Sequence, residues 1–502
     1  MRCCALSGCS NETFHRTPAM TRPLPLDEAA AFAPDWLSAA AAGEAWSGPA
    51  LAFEVLAVPR ASPQALAERQ ARRLAALLQS AARDSPLYRR ALRGIDPARA
   101  ALCDLPVIDK RTLMHRFDDW VADPALRLDG LRRFIAQPGG IGRPHLGRYQ
   151  VWESSGSQGE PALFVQDEGA MRLYDALEAW RRPVLQTWRR LFDPWLLGER
   201  IAFVGATGGH FASTVCFERL RQRVPAWASR LRGFSFLQPT AVLVAQLQAF
   251  APTVVASYPS AALLLAGEQA AGRLRLHLNE VWTGGETLTP AARQRIERAF
   301  GCPLANAYGA SEFLPLASQC RLGRLHLNSD WVLLEQLDAQ GRVLPAGESG
   351  CRTLLTNLAN RVQPLIRCEL GDRTRLHAQR CACGSVLPVI EVEGRCDDSL
   401  VLGRDGARAT LVPLALCTVL EDEAGLFDFE LVQRGPCELV LRAAVAEGDA
   451  SAALRRAARV LGGFLRRQGA LGVRIRLSTE PPTGCLSSGK RQRVRAKTGP
   501  SD

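Results

Sequence analysis

Aromatic residues are scarce, at 7% of the 502 positions. A nucleic-acid surface calls for basic stripes interleaved with exposed aromatics. Here the basic residues are scattered, and only Lys490-Arg-Gln-Arg-Val-Arg-Ala-Lys497 gathers them closely. The net charge of +12, from 62 Lys+Arg against 50 Asp+Glu, therefore points to small polyanions such as nucleotides and coenzymes, with no nucleic-acid partner. An unbroken membrane span is also lacking. Gly233 to Gly267 carries no charge, but Pro239, Pro252, Pro259, Gln246 and Gln248 interrupt it. A buried helix–strand–helix is expected there instead. The first twenty residues hold Cys3, Cys4 and Cys9 but no long apolar core, so no signal peptide is expected. Met20 is a candidate start, which would leave residues 1–19 outside the native chain. The 15 cysteines are an odd number, and without a secretory signal they imply reduced thiols and a cytoplasmic protein. No internal repeat is present.

What is there is a globular composition, 47% hydrophobic and 22% charged, over a length that calls for two or three domains. One loop stands out: Glu153-Ser-Ser-Gly-Ser-Gln-Gly-Glu-Pro161, between Tyr149-Gln-Val-Trp152 and the apolar run Ala162-Leu-Phe-Val165. Its glycines let consecutive N–H groups turn toward an anion and its serines add donors. It does not end in Gly-Lys-Ser/Thr, so it is not a Walker loop. A helix is expected from Ser62 to Arg83, where Leu66, Leu74, Leu77 and Leu78 carry helical spacing, and another begins at Val107-Ile-Asp-Lys110. After the loop, helices are expected over Ala170–Gln186, Ala241–Phe250, from Ser260 as a cap, and Pro290–Phe300. Strands alternate with them at Ile201–Val204, Thr253–Ser257, Val281–Thr283 and Pro303–Ala305. That alternation predicts a mostly parallel α/β sheet, with ligands beyond the carboxyl ends of its strands. Three polar turns at 205–210, 284–287 and 306–312 are candidates to meet over one site.

From Trp331 the pattern becomes β-rich, with Asp338-Ala-Gln-Gly341 as a turn and Ser349–Thr356 strand-like. Past Gly394-Arg395 a small α/β unit is expected, with a helix over Leu411–Asp422, strands over Asp428–Gln433 and Glu438–Ala443, and a basic helix over Ala453–Gln468. Cys320, His326, Cys381 and Cys383 offer three thiolates and an imidazole, a donor set that suits structural Zn²⁺.

Five motifs then fall in a familiar order. Ser154-Ser-Gly-Ser-Gln-Gly-Glu-Pro161, Ala307-Tyr-Gly-Ala-Ser-Glu312, Gly371-Asp372, Gly394-Arg-Cys-Asp-Asp398 and Ser488-Gly-Lys490 with Arg493 resemble the ordered motifs of adenylate-forming enzymes, over roughly 340 residues. Gly284-Gly-Glu-Thr287, Ser257-Tyr-Pro-Ser260 and Cys381-Ala-Cys-Gly384 are similar to the phenylacetate–CoA ligase and coenzyme F390 synthetase branch, some members of which carry a metal in this arrangement.

The resemblance implies a large AMP-binding domain over 61–394, made of parallel sheets and a β-rich subdomain, after an extension over 1–60. A small mobile α/β domain over 395–502 would follow, bearing the catalytic lysine. It implies ATP, Mg²⁺ and coenzyme A, or the phosphopantetheine of an acyl carrier protein. The substrate would be a small carboxylic acid, aromatic or otherwise hydrophobic, with no membrane partner; a homodimer stays open. Ser154, Ser155, Gly156, Ser157 and Gly159 would hold the β- and γ-phosphates. Gly284, Gly285, Glu286, Ala307, Tyr308, Gly309 and Ser311 would surround the nucleotide, and Asp372 would accept from the ribose hydroxyls. Glu312 would help bind Mg²⁺, Arg395 would lie near ribose and phosphate, and Lys490 would pair with the carboxylate and α-phosphate oxygens. Asp397 would be the hinge between half-reactions. An acid pocket is expected among Phe203–Phe211, Tyr258 and Ala307–Phe313. Two positions depart from the family pattern: Glu160 where a lysine is common, and Cys368 where an aromatic often precedes the Gly-Asp. The alternatives are an adenylyltransferase moving AMP to a cofactor hydroxyl and a non-enzymatic nucleotide-binding protein.

Overall fold

Alternation of buried strands with capped helices builds the centre of the chain. The computed structural model describes residues 48–495 apart from 138, 155–161, 184–188, 190–191, 194–195, 197, 206, 225–227, 236–237, 239, 396–399, 405–406, 412–415, 418, 427, 444–449, 481 and 483–492. Leu51–Asp502 form one unit; of the preceding fifty residues only Gly48–Ala50, the start of a helix, are described.

Helices lead the chain: α1 (Gly48–Ala57), α2 (Pro63–Asp84), α3 (Pro86–Ala91), α4 (Lys110–His115), α5 (Phe117–Trp120) and α6 (Leu128–Ile135). Ser62 caps α2 by accepting from the Ala65 N–H at 3.1 Å, and Leu66, Leu74, Leu77 and Leu78 are its buried face. Helix α2 is tied to the body by buried charge. Arg181 reaches Asp330 with two nitrogens, each at 2.7 Å, and Arg73 pairs with both Asp330 and Glu54.

The antiparallel pair β1 (Gln150–Glu153) and β2 (Leu163–Gln166) flanks the Ser/Gly loop, followed by α7 (Glu168–Arg181). Then come β3 (Ile201–Gly205), α8 (Ala212–Arg223), β4 (Leu231–Ser235), α9 (Thr240–Phe250), β5 (Val254–Ser257), α10 (Pro259–Ala270), β6 (Glu280–Gly284), α11 (Pro290–Phe300), β7 (Leu304–Ala310), β8 (Phe313–Gln319) and β9 (Leu325–Leu327). The sheet order is β4-β3-β5-β6-β7-β8-β9, parallel from β4 to β7 and antiparallel through β8 and β9. Val204, Val255, Val281 and Leu304 face Leu247, Leu265 and Ile296 of α9, α10 and α11, while Ile201, Val254, Trp282 and Ala305 make a second cluster. The uncharged stretch is the expected helix–strand–helix, α9–β5–α10. Among the described residues no helix is long and apolar enough to cross a membrane.

A β-rich part follows: β10 (Val332–Leu337), β11 (Arg352–Asn357) and β12 (Cys368–Glu369) in one sheet, and β13 (Asp372–Leu376) with β14 (Ile390–Arg395) in another. Last come the hairpin β15 (Leu400–Arg404) and β16 (Ala407–Leu411), then β17 (Phe429–Gly435), β18 (Glu438–Ala443), α12 (Ala450–Arg467), β19 (Arg474–Ser478) and β20 (Val494–Arg495). The last four strands form a sheet ordered β19-β18-β17-β20, over a separate core that includes Leu431, Leu441, Leu454 and Leu461.

Three sequence expectations are corrected. The turn expected over 306–312 is largely strand: β7 runs to Ala310, because β8 pairs Ala307 with Ser318 and Tyr308 with Ala317. Ser260 is not a cap; its N–H donates to Glu286 Oε2 at 3.0 Å, so a carboxylate from another turn serves the start of α10. The helix expected over Leu411–Asp422 starts later: Leu411 is taken by β16 and pairs with Leu400, while among the described residues Leu416 and Cys417 are α-helical and Val419–Glu423 is π-helical.

Candidate functional site

The carboxyl end of β7 is where the chemistry gathers. Tyr308 lies near the end of β7 and Glu312 in the β7–β8 turn, and both are buried. The turn is held from outside by two bonds: Trp152 Nε1 donates to the Ser311 carbonyl at 2.8 Å, and Asn357 Nδ2 to the Glu312 carbonyl at 2.9 Å. Gly309 is demanded by space, since a Cβ there would stand 2.0 Å from the Leu314 carbonyl oxygen. Tyr308 donates its hydroxyl to Asp372 Oδ2 at 2.8 Å, joining β7 to the start of β13. Gly371, with φ +77°, makes the turn that presents Asp372.

The structure adds a residue that the motifs did not supply. Lys110, at the start of α4, forms an ion pair with Glu312. The bridge between Ile108 and Cys368 brings it there. Burial works against the Lys110 charge, but Glu312, with Asp372 behind it, outweighs it and raises its pKa. The ammonium is therefore held charged between two carboxylates. Its one sequence signal was electrostatic misplacement: a lysine in the first turn of a helix, just after the N-cap Asp109, opposes the helix dipole. Beside it, burial pushes the Cys368 thiol up to about 12, so that residue stays neutral.

Gly284 and Ala307 are register partners on β6 and β7, and a Cβ on Gly284 would lie 3.1 Å from the Ala307 carbonyl oxygen. Gly285 turns the chain with φ +78°. Glu286 then caps α10, and its charge helps hold the Arg493 charge. Ser154 closes the neck of the Ser/Gly loop: its N–H donates to the Ala162 carbonyl at 2.8 Å and its Oγ accepts from the Ala162 N–H at 2.9 Å. The Glu153 N–H donates to the His210 carbonyl at 2.8 Å, which sets this neck against the turn after β3. Arg395 is the register partner of Asp372, so its backbone lies at the site. Ser155, Gly156, Ser157, Gly159, Asp397 and Lys490 lie outside the described residues. Beside Ala307 is a cavity of about 30 Å³ lined by Arg182, Trp282, Thr283 and Asn306. It has room for about two waters, where a cavity that takes benzene is about 150 Å³.

Cys320, His326, Cys381 and Cys383 come together with all four donor atoms within 4.8 Å of one another. The Cys320 and Cys381 sulfurs are 4.0 Å apart, and Cys383 Sγ is 3.4 Å from His326 Nε2. His326 Nδ1 lies 2.7 Å from the Leu387 carbonyl, so it is the protonated nitrogen and Nε2 keeps its lone pair toward the thiols. The donor set, three sulfurs and an imidazole nitrogen, fits Zn²⁺, which would bind the sulfurs as thiolates. The cluster joins Cys320, just past the end of β8, and His326 on β9 to the β13–β14 loop, at the opposite ends of β8 and β13 from Glu312 and Asp372.

Comparison with known proteins accords with this geometry. Residues 229–350 match the AMP-binding enzyme family model. Protein CapK of Staphylococcus aureus is 31% identical over 96 residues; the match spans 19% of this chain and 20% of that protein. A 2-hydroxyisobutyryl-CoA ligase solved in the postadenylation state with R3-HIB-AMP superposes with a TM-score of 0.61 at 21% identity, covering 85% of this chain and 89% of that one. The same ligase in the thioesterification state with 2-HIB-AMP and CoA gives 0.52 at 21% identity, over 88% and 91%. The chain thus has the mixed α/β fold of that solved CoA ligase, over 85% of its length.

Proposed function

We propose that the protein activates a carboxylic acid with ATP and passes the acyl group to a thiol. The observation that carries this reading is the convergence of Lys110, Tyr308, Glu312 and Asp372 at the carboxyl end of a parallel strand. In the first half-reaction a carboxylate oxygen of the acid attacks the α-phosphorus, the bond to the β-phosphate oxygen breaks, and pyrophosphate leaves. In the second, the thiol sulfur attacks the acyl carbon, its proton goes to solvent, and AMP leaves. Asp372 accepts from the ribose hydroxyls, a task that suits an ionised carboxylate. Lys110 offers a fixed cation to the phosphate oxygens, where negative charge must be met without reorganisation. Glu312 is the residue that would hold Mg²⁺; the ion supplies charge neutralisation to the polyphosphate, and one protein carboxylate suffices for it. Lys490 pairs with the acid and α-phosphate oxygens, and the serines and glycines of 155–159 hold the β- and γ-phosphates, with Ser154 closing the neck of their loop. Residues 61–394 form the AMP-binding part and 395–502 the part that turns about Asp397.

The acid is aromatic or otherwise hydrophobic, as in the phenylacetate–CoA ligase branch. Its acceptor is coenzyme A or a carrier-protein phosphopantetheine. Zn²⁺ on Cys320, His326, Cys381 and Cys383 staples the β-rich part. The test is ATP–pyrophosphate exchange over a panel of aryl and aliphatic acids. Acid-dependent exchange that is abolished in Lys490→Ala supports the reading. Absence of exchange with every acid, together with AMP transfer to a hydroxyl cofactor, overturns it in favour of an adenylyltransferase.

A further inference from the structure

We propose that Thr289 and Glu421 form a latch that holds the C-terminal part against the large sheet for the adenylation half-reaction, with Glu421 a positioning residue for Arg493. This rests on the function proposed above. Thr289 is the buried N-cap of α11, three residues after Glu286. Its Oγ1 accepts from the Ala292 N–H at 3.2 Å, which leaves the hydroxyl proton free to be donated, and it goes to Glu421 Oε2. Glu421, on the Val419–Glu423 turn, is itself buried, and its other oxygen, Oε1, takes Arg493 Nη1. The carboxylate is thus divided, one oxygen to the large sheet's side and one to the tail that carries Lys490 three residues earlier.

The tail end of this chain is fixed in turn. The Leu431 N–H donates to the Arg493 carbonyl at 2.7 Å, Val494 pairs with Leu431, and the guanidinium lies 5.4 Å over the Phe429 ring. Burial opposes the Arg493 charge, but Cys417, Glu421 and Glu286 outweigh it and raise its pKa. Glu286 follows the Gly284-Gly285 turn. A polar path therefore runs from α10 and α11 through Glu286, Arg493 and Glu421 to the last described strand.

Physical economy says what such a contact is for. A buried ion pair is a poor way to gain stability, since desolvation offsets most of the attraction. An apolar contact would serve a permanent interface better. A polar contact has one property that an apolar one lacks: both faces are hydrated when they part. Two half-reactions at one site need a part that docks and undocks, and a hydroxyl–carboxylate–guanidinium contact does so at small cost.

Thr289→Asp and Thr289→Asn test this as a pair. Both side chains cap helices well and have the same shape. Aspartate sets a second carboxylate against Glu421, whereas asparagine keeps a donor. Thr289→Asp is expected to slow acid-dependent ATP–pyrophosphate exchange about tenfold or more, while thioester formation from supplied acyl-adenylate stays within about twofold. Thr289→Asn should keep both rates within about threefold of the parent. Small-angle scattering should show a larger radius of gyration for Thr289→Asp alone, at an unchanged thermal midpoint. Equal losses in both half-reactions, equal behaviour of the two variants, or unchanged exchange in Thr289→Asp overturns the latch. A parent protein without exchange would sink the proposed reaction instead, and the scattering comparison would then decide the latch by itself.

Discussion

Replacing Lys110 by methionine keeps the stem of the side chain and removes its charge. What remains is Glu312, whose side chain is only 5% exposed, with its cation gone. Removing one partner of a buried pair costs about 3–5 kcal/mol, because the other is left charged in a poorly solvated place. Lys110 retains 22% exposure, so the low end, about 3 kcal/mol, is expected. Glu312→Gln is milder, since the lysine still faces Asp372; about 1–2 kcal/mol is expected. The double variant Lys110→Met/Glu312→Gln removes both charges and should cost about 2 kcal/mol less than the sum of the singles. The assay is urea unfolding of all four proteins, compared by midpoint with the slopes checked for equality. The pH dependence follows from the raised lysine pKa. A raised value means that the lysine's contribution is complete below 10.5 and is lost only as pH climbs through the higher folded value. The coupling should therefore be flat from about pH 7 to 9 and decline above about 10.5. In the same variant the KM for ATP should rise about tenfold or more if the ammonium meets the phosphates. A coupling below about 0.5 kcal/mol, the ordinary error of additivity, would refute the pairing.

Other perturbations read other parts of the structure. Purified protein should carry close to one equivalent of zinc, and Cys383→Ala should lose it; less than about a tenth of an equivalent in the parent would sink the site on Cys320, His326, Cys381 and Cys383. Gly309→Ala forces a Cβ to 2.0 Å from the Leu314 carbonyl oxygen, so it should lower stability by about 3 kcal/mol or more and remove exchange activity; a soluble, active variant would contradict the β7–β8 geometry. Asp330→Asn strands Arg181 without its carboxylate and leaves Arg73 only Glu54, for a loss of about 3–5 kcal/mol in urea. Burial works to raise the Asp330 pKa but Arg181 and Arg73 prevail and lower it. Its contribution is therefore present above 3.8 and lost as pH falls through the folded value, and the variant should be less acid-sensitive below about pH 4.

The parallel sheet was legible because β3, β5 and β6 are covered on both faces, which forces apolar runs such as Thr253–Ser257 between capped helices. Ser62 and Pro290 marked helix starts through purely local chemistry, and they hold. What failed was chemistry supplied from far along the chain. Ser260 has the composition of a cap, yet the carboxylate that serves α10 comes from Glu286. Residues 306–310 have the composition of a turn, yet an antiparallel partner drew them into β7. Lys110 carries only the weak mark of a cation in the first turn of a helix; the fold alone sets it against Glu312.

Ser154 shows the same division within a single motif. Its composition marked it as an anion donor. Its hydroxyl is instead spent on the Ala162 N–H, while its own N–H meets the Ala162 carbonyl. Both polar groups of the residue close the neck of the loop, so Ser154 shapes the loop from its base. A phosphate held here would then take its donors from the residues beyond Ser154 and from Lys110. Ser154→Ala should accordingly act through the loop's order, raising the KM for ATP, while Ser154→Thr, which keeps the hydroxyl, should restore it. Equal effects of the two substitutions would count against a hydroxyl that works by closing the loop.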